Sequence, residues 1–391
     1  MSIISYTLVV LLAILAYFSS GFINLLFFSE SFLNEFKQSD LSKCHTLPEL
    51  KGCEDLAIHY LSNQAIIGCP GNYLLHKENV KLGYSPRDKL TRNKESFIYS
   101  YDFNKQQVKK LTINNLPTDI NLSFQGLDII EDPKDKELVH ILVINHRFNN
   151  IDSVEHFSYK VNENSVDYIE SFLNKEFNNL NGITAVSPTS FYVTKDISTS
   201  SGFIHYLEQL TFLAYGSVLY KNEVNEVVTV AKGYKYPNGL AINYQQDLVY
   251  MTETMNGKLH LFNRDKDTGE LEEKEVIELS FLPDNIKLEP VTGNLYLAGF
   301  PKSLGVFKYF ETYNTNDYKP VEGVVARISN ETGDGKFYGK NYKQEILLMD
   351  KLGPLSTTSV AAANLKLNRI LISGLLNPEG ILDCPIDLSQ N

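Results

Sequence analysis

The strongest constraint on the fold is a short polar motif that opens a three-strand pattern and then recurs. Residues 236–243 read Tyr-Pro-Asn-Gly-Leu-Ala-Ile-Asn, and two further runs with alternating apolar residues follow at 247–254 and 258–263. Short polar turns separate the three runs, as in an antiparallel meander. A near-copy of the opening begins at residues 283–290. The repeat predicts successive small sheets whose first strands each begin with a polar side chain.

Six such openings occur along the chain at spacings of several tens of residues, and a second apolar run follows each of them. The openings are Glu54-Asp55-Leu56, Phe124-Gln125-Gly126-Leu127, Leu180-Asn181-Gly182-Ile183, Pro237-Asn238-Gly239-Leu240, Pro283-Asp284-Asn285-Ile286 and Thr358-Ser359-Val360-Ala361. The pattern predicts an all-β fold, a six-bladed β-propeller formed by residues 30–391 as one domain. A pair of irregular β-sandwiches is the alternative, but sandwiches lack a repeated opening motif.

Three stretches depart from the strand pattern. Residues 30–50 are polar and are predicted to be partly helical, and residues 166–180 are predicted to form a polar helix. Residues 202–214 are short and rich in aromatic side chains. They are expected to form a lid over the mouth of the ring, to dip into a membrane interface, or to pack as an outer helix on one blade.

The N-terminal segment 1–29 is predicted to be a hydrophobic helix that acts as an uncleaved signal-anchor. Residues 2–29 contain no charged side chain, and residues 8–28 are densely apolar, which is long enough to cross a bilayer. Cleavage as a secretory signal is the alternative, but it would leave an apolar tail on the mature protein. In both cases the body lies outside the cytosol, either membrane-anchored with a lumenal or extracellular body or secreted.

Sequons and net charge add to this prediction. Asn121 and Asn330 each begin an Asn-x-Ser/Thr sequon, so both are predicted glycosylation sites. The formal net charge is −11. A chain with this charge and no basic stripe has nothing to neutralise phosphates, which argues against a nucleic-acid partner.

The chain has four cysteines, an even number. They are Cys44, Cys53, Cys69 and Cys384. A pairing of Cys44 with Cys384 would tie the first part of the ring to the last and leave a local Cys53–Cys69 bridge. Four cysteines allow three pairings, and reduced thiols are a further alternative.

The first positions of the predicted blades supply only oxygen donors. These positions are Glu54, Asp55, Gln125, Asn181, Asn238, Asp284 and Asn285. Strand starts of this kind meet at one end of a propeller channel, and carboxylate and carboxamide oxygens suit Ca²⁺ better than Mg²⁺. Polar residues at strand starts also make simple turn hydrogen bonds, but repetition at equivalent positions favours a metal site.

In several of these motifs the chain resembles the paraoxonase and arylesterase family. The members of that family are calcium-dependent six-bladed propellers that hydrolyse lactones and aryl esters. The resemblance runs from about Cys44 to Cys384. The matching motifs are Cys44, Glu54-Asp55-Leu56, Val143-Ile144-Asn145-His146, Leu180-Asn181, Asn238-Gly239, Asp284-Asn285, Pro290-Val291-Thr292-Gly293 and Cys384. It implies a Cys44–Cys384 disulfide and one catalytic Ca²⁺. The implied ligands are Glu54, Asn181, Asn238, Asp284 and Asn285.

Three positions depart from the family pattern. Gln125 stands where the family has a histidine that pairs with the one matching His146 in a proposed proton relay. Gly182 replaces an acidic residue that helps to hold a second, structural Ca²⁺. Asp55 and the carbonyl of Leu127 remain, so a second ion is expected to bind weakly or not at all. Phe300 replaces a pocket histidine.

These residues have distinct expected roles. His146 is the leading candidate for the general base and Asp284 a substitute, whereas Gln125 can position a water molecule without taking its proton. Tyr236 and Phe300 are expected to line the substrate pocket.

The predicted function is therefore a calcium-dependent hydrolase of lactones or aryl esters, in which water attacks a polarised carbonyl. Its partners would be a small ester or lactone and a membrane, which residues 1–29 would contact, with residues 202–214 as a further candidate contact. The alternatives are a sugar-lactone lactonase and a non-catalytic, calcium-stabilised propeller that binds lipid or a protein. No Gly-x-Ser-x-Gly motif occurs, so covalent serine catalysis is not expected.

Overall fold

A computed structural model describes residues 37–71, 95–147, 152–198, 214–301, 321–330, 342–351, 353–375, 377 and 379–386. Within these residues, 25 β-strands form six sheets that follow one another along the chain. Successive strands in a sheet are antiparallel neighbours, so each sheet is one blade of a propeller.

The first three blades are built as follows. Blade 1 comprises β2 (Asp55–His59), β3 (Gln64–Pro70), β4 (Ser96–Asp102) and β5 (Gln107–Lys110). Blade 2 comprises β7 (Phe124–Glu131), β8 (Leu138–His146), β9 (Asp152–Lys160), β10 (Ser165–Leu173) and the outermost strand β6 (Thr112–Asn114). Blade 3 comprises β11 (Leu180–Ala185), β12 (Phe191–Lys195), β13 (Gly216–Lys221) and β14 (Val227–Tyr234).

The last three blades complete the ring. Blade 4 comprises β15 (Pro237–Ile242), β16 (Leu248–Glu253), β17 (Lys258–Arg264) and β18 (Leu271–Glu278). Blade 5 comprises β19 (Leu282–Leu288), β20 (Leu295–Phe300), β21 (Gly323–Asn330) and β22 (Tyr342–Asp350). Blade 6 comprises β23 (Thr358–Asn364), β24 (Arg369–Gly374), β25 (Ile381–Pro385) and β1 (His45–Leu47). Two single-turn 3₁₀-helices lie at Thr254–Asn256 and Leu365–Leu367.

The innermost strands form the wall of the central channel. Each inner strand packs against the inner strand of the next blade, and β23 packs against β2, so the ring is closed. Inner strands β2 and β23 are buried along their length because neighbouring blades cover both of their faces, whereas the second half of β7 is only partly buried. The outer strands β5 and β18 are instead largely exposed and rich in Lys and Glu, so the blades run from an apolar axis to a charged rim.

The hydrophobic core is divided among the interfaces between blades. One cluster joins blades 4 and 5 and includes Leu261, Phe281 and Met349. Another joins blades 6 and 1 and includes Leu56 and Leu371. Because each interface buries its own cluster, the position of every inner strand depends on packing against two neighbouring blades.

Blade 6 joins the two ends of the ring. Strand β1 pairs antiparallel with β25, so an N-proximal strand completes a C-proximal sheet. The Cys44–Cys384 disulfide lies beside this pairing and links residues 340 apart in sequence, while Cys53–Cys69 is the local bridge. All four cysteines are therefore paired. Of the three possible connectivities, the structure has the one that the resemblance implied, with Cys44 bonded to Cys384.

The six predicted openings are confirmed as the starts of the six inner strands, and each predicted second run is the next strand of its blade.

The prediction of a helix over residues 166–180 is wrong. Strand β10 pairs there antiparallel with β9 and parallel with β6, making blade 2 five-stranded. Val166 and Phe172 face the core while most residues between them are exposed, which is the pattern of a rim strand with few apolar contacts. The described part of the polar N-proximal segment likewise contains strand β1 rather than a helix.

Some predictions fall outside the described residues. The structure does not describe residues 1–29, for which an anchor and a domain boundary are predicted. It also does not describe nearly all of segment 202–214, for which a lid or a membrane contact is predicted. Among the helices that the structure does describe, none combines the length and the apolar character needed to cross a bilayer. The N-terminal anchor and the membrane-contacting segment remain predictions.

Candidate metal centre in the central channel

Polar side chains at the start of the inner strands are positioned by β-bulges. The regular pairing between first and second strands is interrupted at the opening motif in blades 2 to 6. The interruptions in blades 3, 4 and 5 fall at Asn181, Asn238 and the Asp284-Asn285 pair. A bulge bends the strand locally and redirects a side chain that the regular pleat would aim elsewhere. The same local irregularity therefore orients the predicted ligands of three successive blades.

Glycines in the opening motifs allow these strands to lie very close together. A Cβ atom at Gly126 would collide with the backbone carbonyl of Asn181, and one at Gly182 would collide with the carbonyl of Asn238. A Cβ atom at Gly239 would collide with the backbone of Asn285. Only glycine permits this approach, which brings each predicted ligand against the next inner strand.

Side-chain contacts join the predicted ligands across the channel. Asn285 Nδ2 donates to Glu54 Oε1 at 2.7 Å, although the two residues are 231 positions apart in sequence. Asn238 donates a side-chain hydrogen bond to the Asp284 carboxylate. Asn181 lies on the neighbouring inner strand, where its Nδ2 is 3.5 Å from Asp196 Oδ2. The five residues implied as ligands by the resemblance thus all lie at or directly before the starts of inner strands, in blades 1, 3, 4 and 5.

Three buried oxygens in this group have no hydrogen-bond partner within the described residues. They are Glu54 Oε2, Asn181 Oδ1 and Asn238 Oδ1. The three residues are 4%, 5% and 4% exposed. An unsatisfied buried acceptor costs about 1–3 kcal/mol, and more for a charged group, so three together call for a positively charged occupant. An oxygen-only donor set of this kind fits Ca²⁺.

The charge states of the carboxyl groups lead to the same conclusion. Burial and the nearby Asp55 and Asp284 raise the pKa of Glu54 well above its usual value. Burial raises the pKa of Asp284 to about 8, with Asp55 contributing and the hydrogen bond from Asn238 opposing the shift. Without a cation, these two groups resist ionisation at neutral pH. Within the described residues no group of three or more His, Cys, Asp or Glu forms a metal-binding cluster, and the candidate site instead depends heavily on carboxamide oxygens.

Hydroxyl groups on the first and second strands of the blades hold the ligand-bearing backbone in place. Thr252 Oγ1, on β16 of blade 4, donates to the carbonyl of Asp284 in blade 5 at 2.6 Å. Thr194 Oγ1, on β12 of blade 3, donates to the carbonyl of Asn238 in blade 4 at 2.7 Å. Ser359 Oγ in blade 6 donates to the carbonyl of Glu54 in blade 1 at 2.6 Å. These buried hydroxyls hold the backbone of three predicted ligands to the preceding blade.

A histidine–aspartate pair lies at the same end of the ring. His146 Nδ1 is 2.9 Å from Asp152 Oδ1, and the other oxygen, Asp152 Oδ2, accepts a hydrogen bond from the backbone N–H of Leu180 at 2.9 Å. Leu180 directly precedes Asn181, so this carboxylate connects the candidate base to the first residue of a ligand-bearing strand. His146 is 18% exposed and Asp152 is fully buried. Asp152 was missed by sequence reasoning because no spacing motif relates it to His146.

The other predicted site residues also map to this end. Gln125 is half-buried at the start of β7, and Tyr236 is half-buried directly before β15 with a positive φ of 61°. Phe300 is half-buried at the end of β20, opposite Leu282 at the start of β19. Of the two sequons, Asn121 is exposed, whereas the side chain of Asn330 lies outside the description.

Sequence reasoning also missed a partly buried lysine in the channel. Lys287 Nζ lies 3.0 Å from both carboxylate oxygens of Asp55 and donates to the carbonyl of Leu127 at 2.8 Å. Asp55 and the carbonyl of Leu127 are the two groups at which the family resemblance left a second metal ion expected to bind weakly or not at all. Lys287 follows Asn285 by two residues in β19, the interval at which side chains share one face of a strand. This two-residue interval was the only feature of the sequence that indicated a position for Lys287 near the predicted ligands.

The hydroxyl contacts lead to a prediction about metal binding. Replacing Thr252 with the isosteric valine removes the hydrogen bond to the Asp284 carbonyl and leaves a buried acceptor unsatisfied, at a cost of about 1–3 kcal/mol. We expect Thr252→Val to bind Ca²⁺ more weakly, measured by calorimetric titration. Thr252→Ser is the matched control, because it keeps the hydroxyl and should keep most of the affinity. Equal affinities in the two variants would show that this hydroxyl does not position the site.

Relatives of known name cover most of the chain. The protein is 26% identical over 304 residues to mouse (Mus musculus) serum paraoxonase/arylesterase 1, an alignment that covers 76% of this chain and 79% of that one. It is 30% identical over 195 residues to human (Homo sapiens) serum paraoxonase/arylesterase 2, where the alignment covers 50% of this chain and 52% of that one.

Solved structures and a family profile complete the comparison. A luciferin-regenerating enzyme superimposes with a TM-score of 0.52 and 11% identity, covering 88% of this chain and 95% of that one. A gluconolactonase from Xanthomonas campestris superimposes with a TM-score of 0.50 and 13% identity, covering 89% of this chain and 91% of that one. At these identities the likeness shows the shared fold alone. The profile of the Arylesterase family matches residues 79–381. This chain therefore belongs to the Arylesterase family.

Proposed function

We propose that the protein is a calcium-dependent hydrolase of carboxylic esters or lactones. The observation that carries the proposal is the set of three buried, unpaired oxygens on Glu54, Asn181 and Asn238, which begin inner strands in a member of the Arylesterase family. A purely structural channel would be expected to fill these positions with apolar or mutually bonded side chains.

The chain's own residues would hold the ion and leave the remaining positions to water and substrate. Glu54, Asn181, Asn238, Asp284 and Asn285 supply five oxygen-bearing side chains, and calcium accepts six to eight ligands. When bound, the ion supplies Lewis-acid polarisation of a carbonyl and stabilises the negative charge that develops on its oxygen. The bulges, glycines and hydroxyl contacts keep these oxygens in position before substrate arrives.

His146 is the proposed general base, and Asp152 is its positioning residue. A carboxylate that accepts from Nδ1 fixes the imidazole ring and makes Nε2 the basic nitrogen. His146 would then take a proton from the attacking water, a role typically worth ~10²–10⁴-fold in rate. Gln125 has no proton affinity at neutral pH and would orient the water by hydrogen bonding. Asp152 thus provides the support that a second histidine provides in the family pattern.

Substrate and location form the rest of the proposal. Tyr236 and Phe300 are both half-buried beside ligand-bearing strands, which suits an uncharged ester or lactone with an apolar group. Two disulfides and the exposed Asn121 sequon favour an oxidising compartment of the secretory pathway. We extend the proposal to an anchoring role for residues 1–29 and to glycosylation at Asn121 and Asn330.

Hydrolysis of phenyl acetate and a medium-chain γ-lactone tests the proposed reaction. We expect turnover with calcium, loss of turnover with excess chelator, and recovery on adding calcium back. Asn238→Ala should lose most activity because it removes an unpaired ligand oxygen, whereas Asn263→Ala, an exposed asparagine on β17 of the same blade, should retain it. If no turnover occurs while calcium still raises Tm, the ion is structural and the alternative of a non-catalytic propeller is preferred.

The His146–Asp152 pair gives an independent prediction. His146→Gln should lower kcat by ~10²–10⁴-fold with little change in calcium affinity. Asp152→Asn removes the charge that stabilises protonated imidazole, so the acid limb of the pH–rate profile should move to lower pH.

The exposed His45 provides the control for this pair, because His45→Gln should leave both kcat and the pH profile unchanged. If Asp152→Asn lowers the rate equally at every pH, the pair has only a structural role.

A further inference from the structure

The ammonium group of Lys287 occupies a cage of oxygens in the channel. It lies 3.0 Å from each carboxylate oxygen of Asp55 and donates to the carbonyl of Leu127 at 2.8 Å. These groups come from β19, β2 and β7, so one side chain bridges blades 5, 1 and 2. An ammonium has three N–H donors and no acceptor, which makes a carboxylate and a carbonyl its natural partners.

The cage is buried and is closed by further contacts. The Lys287 and Asp55 side chains are 11% and 2% exposed. Asp55 also accepts from the backbone N–H groups of Leu56 and Leu127 at 2.9 and 2.8 Å, so hydrogen bonds surround its carboxylate. One residue beyond the lysine, the carbonyl of Leu288 accepts from Tyr60 Oη at 3.3 Å, a second link between blades 5 and 1.

The charges in the channel form a simple sum. Three carboxyl groups lie close enough to influence one another, those of Glu54, Asp55 and Asp284. The Lys287 ammonium pairs directly with Asp55 and neutralises one of the three. The two that remain, Glu54 and Asp284, carry together the charge that a single divalent cation balances. A second divalent ion at Asp55 would bring an excess of positive charge into a buried site.

We propose that Lys287 is a built-in cation that takes the position of a second metal ion, so that the folded chain binds one Ca²⁺ rather than two. The ammonium joins the inner strands of three blades in the way that a bound structural ion would. The stability of this end of the channel then depends on a covalently attached charge and not on the calcium concentration.

The backbone around Gly182 agrees with this assignment. A Cβ atom there would collide with the carbonyl of Asn238 on the next inner strand, so this ring has no space for an acidic side chain at position 182. With one carboxylate instead of two beside it, a singly charged ammonium matches the charge of the cage, and a divalent ion would bind there only weakly and only with the ammonium removed.

The first test is the calcium content of the wild-type chain, measured by equilibrium dialysis and by native mass spectrometry. We expect one tightly bound Ca²⁺ per chain and none in Asn238→Ala. Two ions in the wild-type chain would overturn the proposal. If the wild-type chain bound none, the proposed hydrolase site would fail, while the role of Lys287 would still be tested by the variants below.

The second test removes the ammonium. Lys287→Met, which keeps an unbranched side chain but removes the terminal ammonium, should lower Tm by several degrees in chelator and should bind a second Ca²⁺ at millimolar calcium. The matched control, Lys258→Met, removes a lysine of an exposed ion pair with Glu278 and should leave Tm unchanged. A Lys287→Met chain as stable as the wild type, or one that still binds a single ion, would overturn the proposal.

A double variant provides a further check on the pairing. If Lys287 acts through Asp55, Asp55→Asn combined with Lys287→Met should recover part of the Tm lost by Lys287→Met alone, because both buried charges are then removed. No recovery in the double variant would show that the two charges act independently, contrary to the proposal. The wild-type calcium content remains decisive even if a single variant fails to fold.

Discussion

The architecture depends on the cost of burying negative charge on the axis of the ring. Glu54 and Asp55 at the start of β2 and Asp284 in β19 are brought together from two inner strands, and isolated carboxylates in such a place would resist ionisation. Most of the local features of the channel address this cost. Lys287 neutralises one group, hydrogen bonds from Asn285 and Asn238 partly support the others, and unpaired oxygens are left oriented for a cation. The metal-free fold therefore leaves buried carboxyl groups and oxygens at this site that only a cation would satisfy.

The rest of the propeller keeps these groups from moving apart. Neighbouring blades share hydrophobic clusters, so an inner strand cannot shift without disturbing two interfaces. Buried hydroxyls bind the ligand-bearing backbone to the preceding blade. At the closure, Tyr101 of blade 1 donates to Asp383 of blade 6 at 2.6 Å, next to the disulfide and the β1–β25 pairing. A ring closed in this way can keep oxygens unsatisfied, because relaxation toward each other is opposed on every side.

How much of this was predictable from the sequence depends on the range of each interaction. The six inner strands were predictable because alternation and the polar–glycine openings are local signals, and both predicted positions in the Asp284-Asn285 motif lie at a bulge. Strand β10 was not predictable, because a polar rim strand has few apolar positions to reveal its alternation. Its pairing with β6 also joins residues that are more than fifty positions apart in sequence. Asp152 is only six residues from His146 and was missed because no spacing motif relates the two, whereas Lys287 was missed because its partner is distant in sequence. Lys287 meets Asp55 across 232 positions, and only closure of the ring brings the two together.

The central claim is that one cation-binding centre lies among the inner-strand oxygens and that Lys287 excludes a second. The most direct measurement is anomalous diffraction from crystals grown with calcium or soaked with a lanthanide that replaces it. We predict a single strong peak among the side chains of Glu54, Asn181, Asn238, Asp284 and Asn285, with the Lys287 ammonium still beside Asp55. A peak between Asp55 and the Leu127 carbonyl, or no peak at the ligand oxygens at saturating metal, would contradict the account.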